Sequence, residues 1–429
     1  MTMYRLTNPV RRYAWGSRTH IPRVLGQEPT DEPAAEMWIG AHPGDPSMVR
    51  RPGAATGGQR LDGLIAADPV GHLGTDARLA FGDRLPFLMK LLAARDTLSL
   101  QVHPPGERAQ RRCAEQQAAG IPLTAPERTY QDTSHKPELL YALTRFEGMA
   151  GFRDTARSAA VLRGLSLDWL DQVADTIEDT RTPFQTLRDV VTRWLAVQSG
   201  EVTGMLAELR AACVRAEAAA HAHSPARRVP VRLAHDVSRE SLRVYAAVPS
   251  LIDSYPDDPS VLVTLLLNHV VLAPGEAMFI NAGVIHAPTA GFGIEVMASS
   301  DNVLRTGLTP KHVDIPELLE TASFTPMPTP LWAPSEFGGE GDVRLAPPVD
   351  EFELHVLRLG APHVLFEHSA PRVVLCLEGK AQIVGGSTVL TLEQGESAFV
   401  GACHATICVS GTGRAAVAQT PPSLGTRDH

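Results

Sequence analysis

Two segments far apart in the chain, Leu272-Ala-Pro-Gly-Glu-Ala-Met-Phe-Ile and Leu392-Glu-Gln-Gly-Glu-Ser-Ala-Phe-Val, share one texture. In each, an apolar run is broken by a turn around glycine and then resumes, the pattern of two strands joined by a short connection. Repetition of a β unit constrains the fold more than any single motif does, because a duplicated unit implies a duplicated architecture. The echo predicts two related jelly-roll barrels.

Between these β regions and the N-terminal part the texture changes. Residues 1–150 alternate short apolar runs with Pro- and Gly-rich turns, as in Leu85-Pro-Phe-Leu-Met-Lys-Leu-Leu and Thr97-Leu-Ser-Leu-Gln-Val-His, and read as a β-rich unit. From about 151 to 250, Leu187, Val190, Val191, Trp194 and Leu195, and then Met205, Leu206, Leu209, Ala212 and Cys213, recur at helical spacing. This Ala- and Arg-rich block interrupts the β pattern as an insertion, with Ser224-Pro-Ala-Arg-Arg-Val-Pro230 as a connector. After it, residues 261–280 read as two strands around a Pro-Gly turn. The expected organisation is mainly β with an α insertion. Residues 1–150 and 251–325 form a catalytic barrel, 151–250 an inserted helical domain, and 326–429 a C-terminal barrel.

Reactive side chains concentrate in residues 286–314, where His286, Glu295, Asp301, Arg305 and Lys311 stand among Gly291, Gly293 and Gly307. Two further segments complete the pattern. In Leu98-Ser-Leu-Gln101-Val-His103-Pro104, strand alternation puts Gln101 and His103 on one face, and Pro104 stops the strand beyond them. In Tyr130-Gln-Asp-Thr-Ser134-His135-Lys136-Pro137-Glu138, the carboxylate enters the apolar run from Leu139 to Leu143, and His286 follows Met278-Phe-Ile280 by a short turn. One amide oxygen, one carboxylate and two imidazoles suit a borderline divalent ion such as zinc, with room for a substrate oxygen. Either histidine taken alone reads as well as an ordinary half-buried one.

The chain resembles the type I mannose-6-phosphate isomerases. The segment from Tyr130 to Glu138 is similar to that family's Y-x-D-x-N-H-K-P-E signature, with Ser134 in place of the usual Asn, and residues 286–314 resemble a second family block, with Pro288 where Tyr is usual. Asn8-Pro-Val-Arg-Arg-Tyr-Ala-Trp15-Gly-Ser, Ala35-Glu-Met-Trp38-Ile-Gly-Ala-His42-Pro and Lys90-Leu-Leu extend the likeness. The resemblance implies a cupin architecture and a single zinc ion bound by Gln101, His103, Glu138 and His286. It also implies a catalytic Arg305, with Lys90, Ser99 and Lys311 on the substrate phosphate. Trp15, Lys136, Glu295 and Asp301 line the pocket in this reading. Glu295 is the leading proton-transferring base, and Lys136 or His135 serves ring opening. The reaction implied interconverts mannose 6-phosphate and fructose 6-phosphate, supplying GDP-mannose synthesis or mannose catabolism.

Two other classes stay open. A cupin oxygenase would want two histidines and a carboxylate around iron, against which Gln101 speaks. A non-catalytic sugar-phosphate-binding cupin would be expected to lack a ligand or Arg305. The charge of -9, with 39 basic against 48 acidic residues and no basic block, argues against nucleic acid and makes anion capture a matter of a local pocket. No leader-like segment is read at the start, and the most apolar stretch, 261–272, is broken by Asn268 and His269, so no membrane partner is expected and a cytoplasmic location is; a monomer is expected besides. Five cysteines without a C-x-x-C pair read as free buried thiols. His404 is the one histidine near the second hairpin turn and lacks a Gln-x-His partner, so the C-terminal barrel is read as structural.

Overall fold

A computed structural model describes residues 3–50, 58–222, 237–360 and 364–422. The expected connector at 224–230 lies outside them. Two sheets of 11 strands dominate the described chain, which is mainly β with helices. In the first sheet, Phe87–Ala94 is central, hydrogen-bonded to Glu36–Gly40 on one side and to the long strand His286–Ala298 on the other. Its sequence, FLMKLLAA, is buried at every position, as a central strand covered on both faces requires, and Lys90 is the charged exception.

Alternation along these strands sorts their side chains into two layers. Met37, Ile39, Phe87, Met89, Leu91, Leu139, Tyr141, Ile294 and Val296 enter an apolar core shared with Leu354, Val356, Val373, Leu375, Phe399 and Ala416 of the second sheet. The intervening residues Glu36, Trp38, Lys90, Glu138 and Glu295 therefore share the opposite, inner face. Polar groups on that face are costly unless something there uses them.

The long strand also pairs with Glu138–Ala142, Phe146–Phe152 and Gln101. Its register shifts between Pro288 and Ala290. Pro288 has no N–H to give the ladder there. Gly291 next to it has φ +129, and a Cβ would come within 2.7 Å of Arg145 O.

The second sheet contains Glu353–Leu359, Arg372–Gly385, Thr388–Glu393, Ser397–Val400 and Ile407–Gln419. It also contains Met3–Thr7, which pairs antiparallel with Ser397–Val400 on one side and with Met48–Val49 on the other, so N-terminal strands extend the C-terminal sheet. The repeated hairpins match bond for bond. Gly275 N donates to Ala142 O at 2.9 Å and Gly395 N to Cys376 O at 2.8 Å; Glu276 Oε2 accepts from Ala273 N at 2.7 Å and Glu396 Oε2 from Glu393 N at 3.0 Å. Both glycines have positive φ, 92° and 80°.

Five helices, Thr155–Arg163, Asp168–Glu178, Pro183–Leu195, Ser199–Ala222 and Val237–Ser254, follow the first β unit. The apolar stripes at 187–195 and 205–213 supply their core, with Met205 partly buried. Two expectations need correction. Ser260–Thr264 is helical, and the strand begins only at Leu267. Pro259 fixes a helical φ of -64° and Asp258 Oδ1 accepts from Ser260 N; the run is buried on every side, so periodicity carries no signal there. The N-terminal unit also holds a 13-residue helix, Gly106–Ala118, started by Pro104-Pro105. All five cysteines are free, but only Cys213 and Cys376 are buried; Cys113 and Cys408 are partly buried and Cys403 is exposed.

Candidate metal centre

The inner face of the first sheet brings His103, Glu138 and His286 together, with ligand atoms within 4.8 Å of one another and all three residues buried. Glu138 Oε1 lies 3.1 Å from His103 Nε2, and Oε2 lies 3.1 Å from His286 Nε2. The Gln101 amide reaches 3.2 Å from His286 Nε2, and a half-turn of that amide presents Oε1 instead. Strand order explains the convergence. His286 and Gln101 face each other in register, and Arg305 faces Gln101 from its other side.

Backbone carbonyls fix both imidazoles. His103 Nδ1 lies 2.7 Å from Asn302 O and His286 Nδ1 lies 2.9 Å from Val284 O, so each Nδ1 carries the proton and each Nε2 offers a lone pair inward. His103 Nε2 is buried and has no hydrogen-bond partner. A buried acceptor aimed at a carboxylate, with neither supplying a proton, is unfavourable unless a cation sits between them. Burial, and then Lys136, hold His103 near a pKa of about 4, so it stays neutral. Burial opposes the charge on Glu138, yet Lys136, whose Nζ donates to Oε1 at 2.6 Å, and then His103 keep the carboxyl well below its usual range. These donors fit zinc, with nitrogen and oxygen ligands and no thiolate.

A cavity of about 460 Å³ opens over these groups. Trp15, Lys90, Ser99, Lys136, Glu295, Asp301, Arg305 and Lys311, all expected from the sequence, line it. Lys90 Nζ lies 2.9 Å from Glu295 and 3.9 Å from Glu36, so its charge is already shared by two carboxylates. Burial raises the Glu295 pKa, Lys90 works against that, and Glu138 adds to the rise. Arg305 and Lys311 have no carboxylate partner among the described residues. Arg305 in turn lowers the Lys311 pKa. A larger cavity of about 840 Å³ adjoins and shares Tyr13, Trp15, Ser99, Arg305 and Lys311 as its wall.

His135 stands apart from the cavity, its Nε2 2.6 Å from Glu351. Ser134 accepts from Arg84 at 2.8 Å, likewise outside, whereas Pro288 does line the cavity. Sequence reading gave no role to Glu36, whose Oε2 accepts from Trp38 Nε1 at 2.6 Å, or to His42, 3.5 Å from Asp301. The signal was there in Ala35-Glu-Met-Trp-Ile-Gly-Ala-His, where Glu36 and Trp38 alternate with Met37 and Ile39.

A family model for the catalytic domain of type I phosphomannose isomerases matches residues 3–155. The mannose-6-phosphate isomerase of Salmonella typhimurium is 37% identical over 419 residues, covering 96% of this chain and 98% of that protein. The chain belongs to the mannose-6-phosphate isomerase family. A family member from Bos taurus is 30% identical over 429 residues, 93% of each. The crystal structure of a zinc-bound mannose 6-phosphate isomerase aligns with a TM-score of 0.82 at 34% identity, covering 98% of this chain and 100% of the other.

Proposed function

We propose that this protein is a zinc-dependent aldose–ketose isomerase that interconverts mannose 6-phosphate and fructose 6-phosphate. The observation that carries the reading is the buried, partnerless Nε2 of His103 facing Glu138 and His286. Gln101, His103, Glu138 and His286 would hold the metal. When bound, zinc supplies a Lewis acid that polarises the sugar's C1 and C2 oxygens.

The chain's own groups handle the proton and the phosphate. Glu295 is buried with its proton affinity raised, which suits a base that takes a proton from one carbon and returns it to the next. Lys90 holds that carboxylate in place. Arg305, charged and without a carboxylate partner, steadies the negative charge that develops on the substrate oxygens. Ser99 and Lys311 receive the phosphate, and Lys90, already shared, contributes least of the three. Lys136 serves ring opening from beside Glu138, and Trp15 and Asp301 contact the sugar. His135, turned to Glu351, has no direct part.

The architecture we infer is two cupin-type barrels, the first catalytic, with the helices between 151 and 254 as an inserted domain. We also read the protein as a cytoplasmic monomer that exchanges its sugar phosphates with GDP-mannose synthesis or mannose breakdown, a reading that rests on sequence and family. The deciding experiment is a coupled assay on mannose 6-phosphate with the enzyme as purified, after chelation, and after zinc return. Activity that survives complete chelation would overturn the metal-dependent reading.

A further inference from the structure

The duplicated hairpin allows the two barrels to be matched residue by residue. Glu138 pairs with Ile280 on one side and Met297 on the other. At the same place in the second sheet, between Val400 and Gln419, stands Arg372. The neighbours match as well. Leu88 opposite Met297 corresponds to Glu353 opposite Gln419, and Lys90 opposite Glu295 corresponds to His355 opposite Val417. Where the first barrel carries a carboxylate that attracts a cation, the second carries a cation.

Arg372 is fully buried. Its Nε donates to Gln419 Oε1 at 2.9 Å, and its Nη1 to Ala370 O at 3.2 Å and His404 O at 3.0 Å. Nη2 donates to His368 O and to Ala405 O. Every one of these partners is an acceptor; Gln419 stands on the neighbouring strand, and the four backbone carbonyls come from two loops, 368–370 and 404–405. Glu353, 1% exposed, faces the same space and is held by Arg344, Gln419 and His355. His355 Nδ1 is buried without a partner, its ring against Phe337 and Phe366. Burial pulls the Arg372 pKa down to about 10 and Glu353 works the other way, so the guanidinium stays charged at neutral pH.

We propose that the second barrel keeps the cation position of the duplicated fold but fills it from within. Arg372 is a tethered guanidinium that ties the two end loops together and excludes both metal and sugar phosphate. A planar fork is required, because the acceptors lie around one plane-forming group; a point charge such as ammonium reaches fewer of them. Removing the fork leaves a guanidinium-shaped hole lined by acceptors.

The test uses the full-length zinc enzyme. Arg372→Ala should lose about 10 °C in Tm, as expected for an uncompensated buried charge network. Millimolar guanidinium chloride, well below denaturing concentrations, should restore much of that loss, while equal sodium chloride or urea should not. Zinc content and kcat of the folded variant should stay near wild type. Arg372→Lys, less disruptive, covers the case in which the alanine protein does not fold: it should melt several degrees below wild type and show faster amide exchange in residues 401–405. No rescue of Arg372→Ala by guanidinium, rescue by zinc instead, or a wild-type Tm for Arg372→Lys would each overturn the proposal.

Discussion

In the first sheet the strand position between Ile280 and Met297 holds Glu138, and in the second the position between Val400 and Gln419 holds Arg372. Around Glu138 two imidazoles turn lone pairs inward, their outer nitrogens spent on backbone carbonyls. Around Arg372 the backbone carbonyls themselves turn inward. One backbone framework thus supports opposite electrostatics, and the choice is made by a few side chains at fixed registers rather than by the fold. Chemistry needs the first arrangement, which leaves a position open; stability is served by the second, which closes it.

The comparison breaks most sharply at the metal. His103→Ala should lose zinc by elemental analysis and lower kcat roughly a thousandfold or more, because a three-ligand remnant with a buried carboxylate holds the ion poorly. Full zinc occupancy in that variant would place the ion elsewhere and dissolve the contrast between the sheets. Next comes Arg305→Lys. It keeps the charge and loses the fork, so zinc and KM should change little while kcat falls roughly a hundredfold. A large rise in KM at unchanged kcat would instead make Arg305 a phosphate anchor and shift the chemistry to Glu295 and Lys136.

How far the sequence led follows from the same physics. Gln101-x-His103 announces itself because period-two alternation needs no tertiary information, and Glu138 and His286 stand at strand starts marked by Pro137 and by the turn before Val284. The repeated hairpin was legible for the same reason. Arg372 was not, since a lone arginine before Val-Val-Leu reads as a flank; only the register opposite Gln419 puts it inside. Glu36 is equally silent in the sequence, because its ion pair is with Lys90, a neighbour brought by pairing across strands. The helix at 260–264 is not legible in the sequence, because a run buried on every side has no period to read.

Smaller effects sharpen the contrast. Lys311→Met should raise KM for mannose 6-phosphate roughly tenfold with kcat within a factor of about two, the scale of one charge-assisted hydrogen bond to phosphate. Unchanged KM would remove Lys311 from the phosphate end. In the second sheet, burial opposes the charge on Glu353, but His355, Gln419 and Arg344 outweigh it and push its pKa from an ordinary 4.5 down to about 2. A depressed carboxylate contributes stability that is fully present above pH 4.5 and is lost as pH falls toward 2. Tm measured across that window should fall more steeply for the wild type than for Glu353→Gln; parallel slopes would show that Glu353 contributes nothing to acid stability.

The mildest prediction concerns His404, the histidine that the hairpin echo makes the nearest candidate for a second ligand. Its main-chain oxygen, not its imidazole, accepts from Arg372 at 3.0 Å, and its ring is only partly buried. Replacing it by alanine preserves that carbonyl and therefore the tie between the end loops. His404→Ala should keep one zinc per chain and a kcat near wild type, and it should melt within about 3 °C of wild type, as for a substitution that opens little core. Set beside His103→Ala, it asks whether histidines of the two sheets do different work. Loss of zinc from the His404 variant would mean that the second sheet reaches into the metal centre, and the division between a reactive sheet and a closed one would have to be given up.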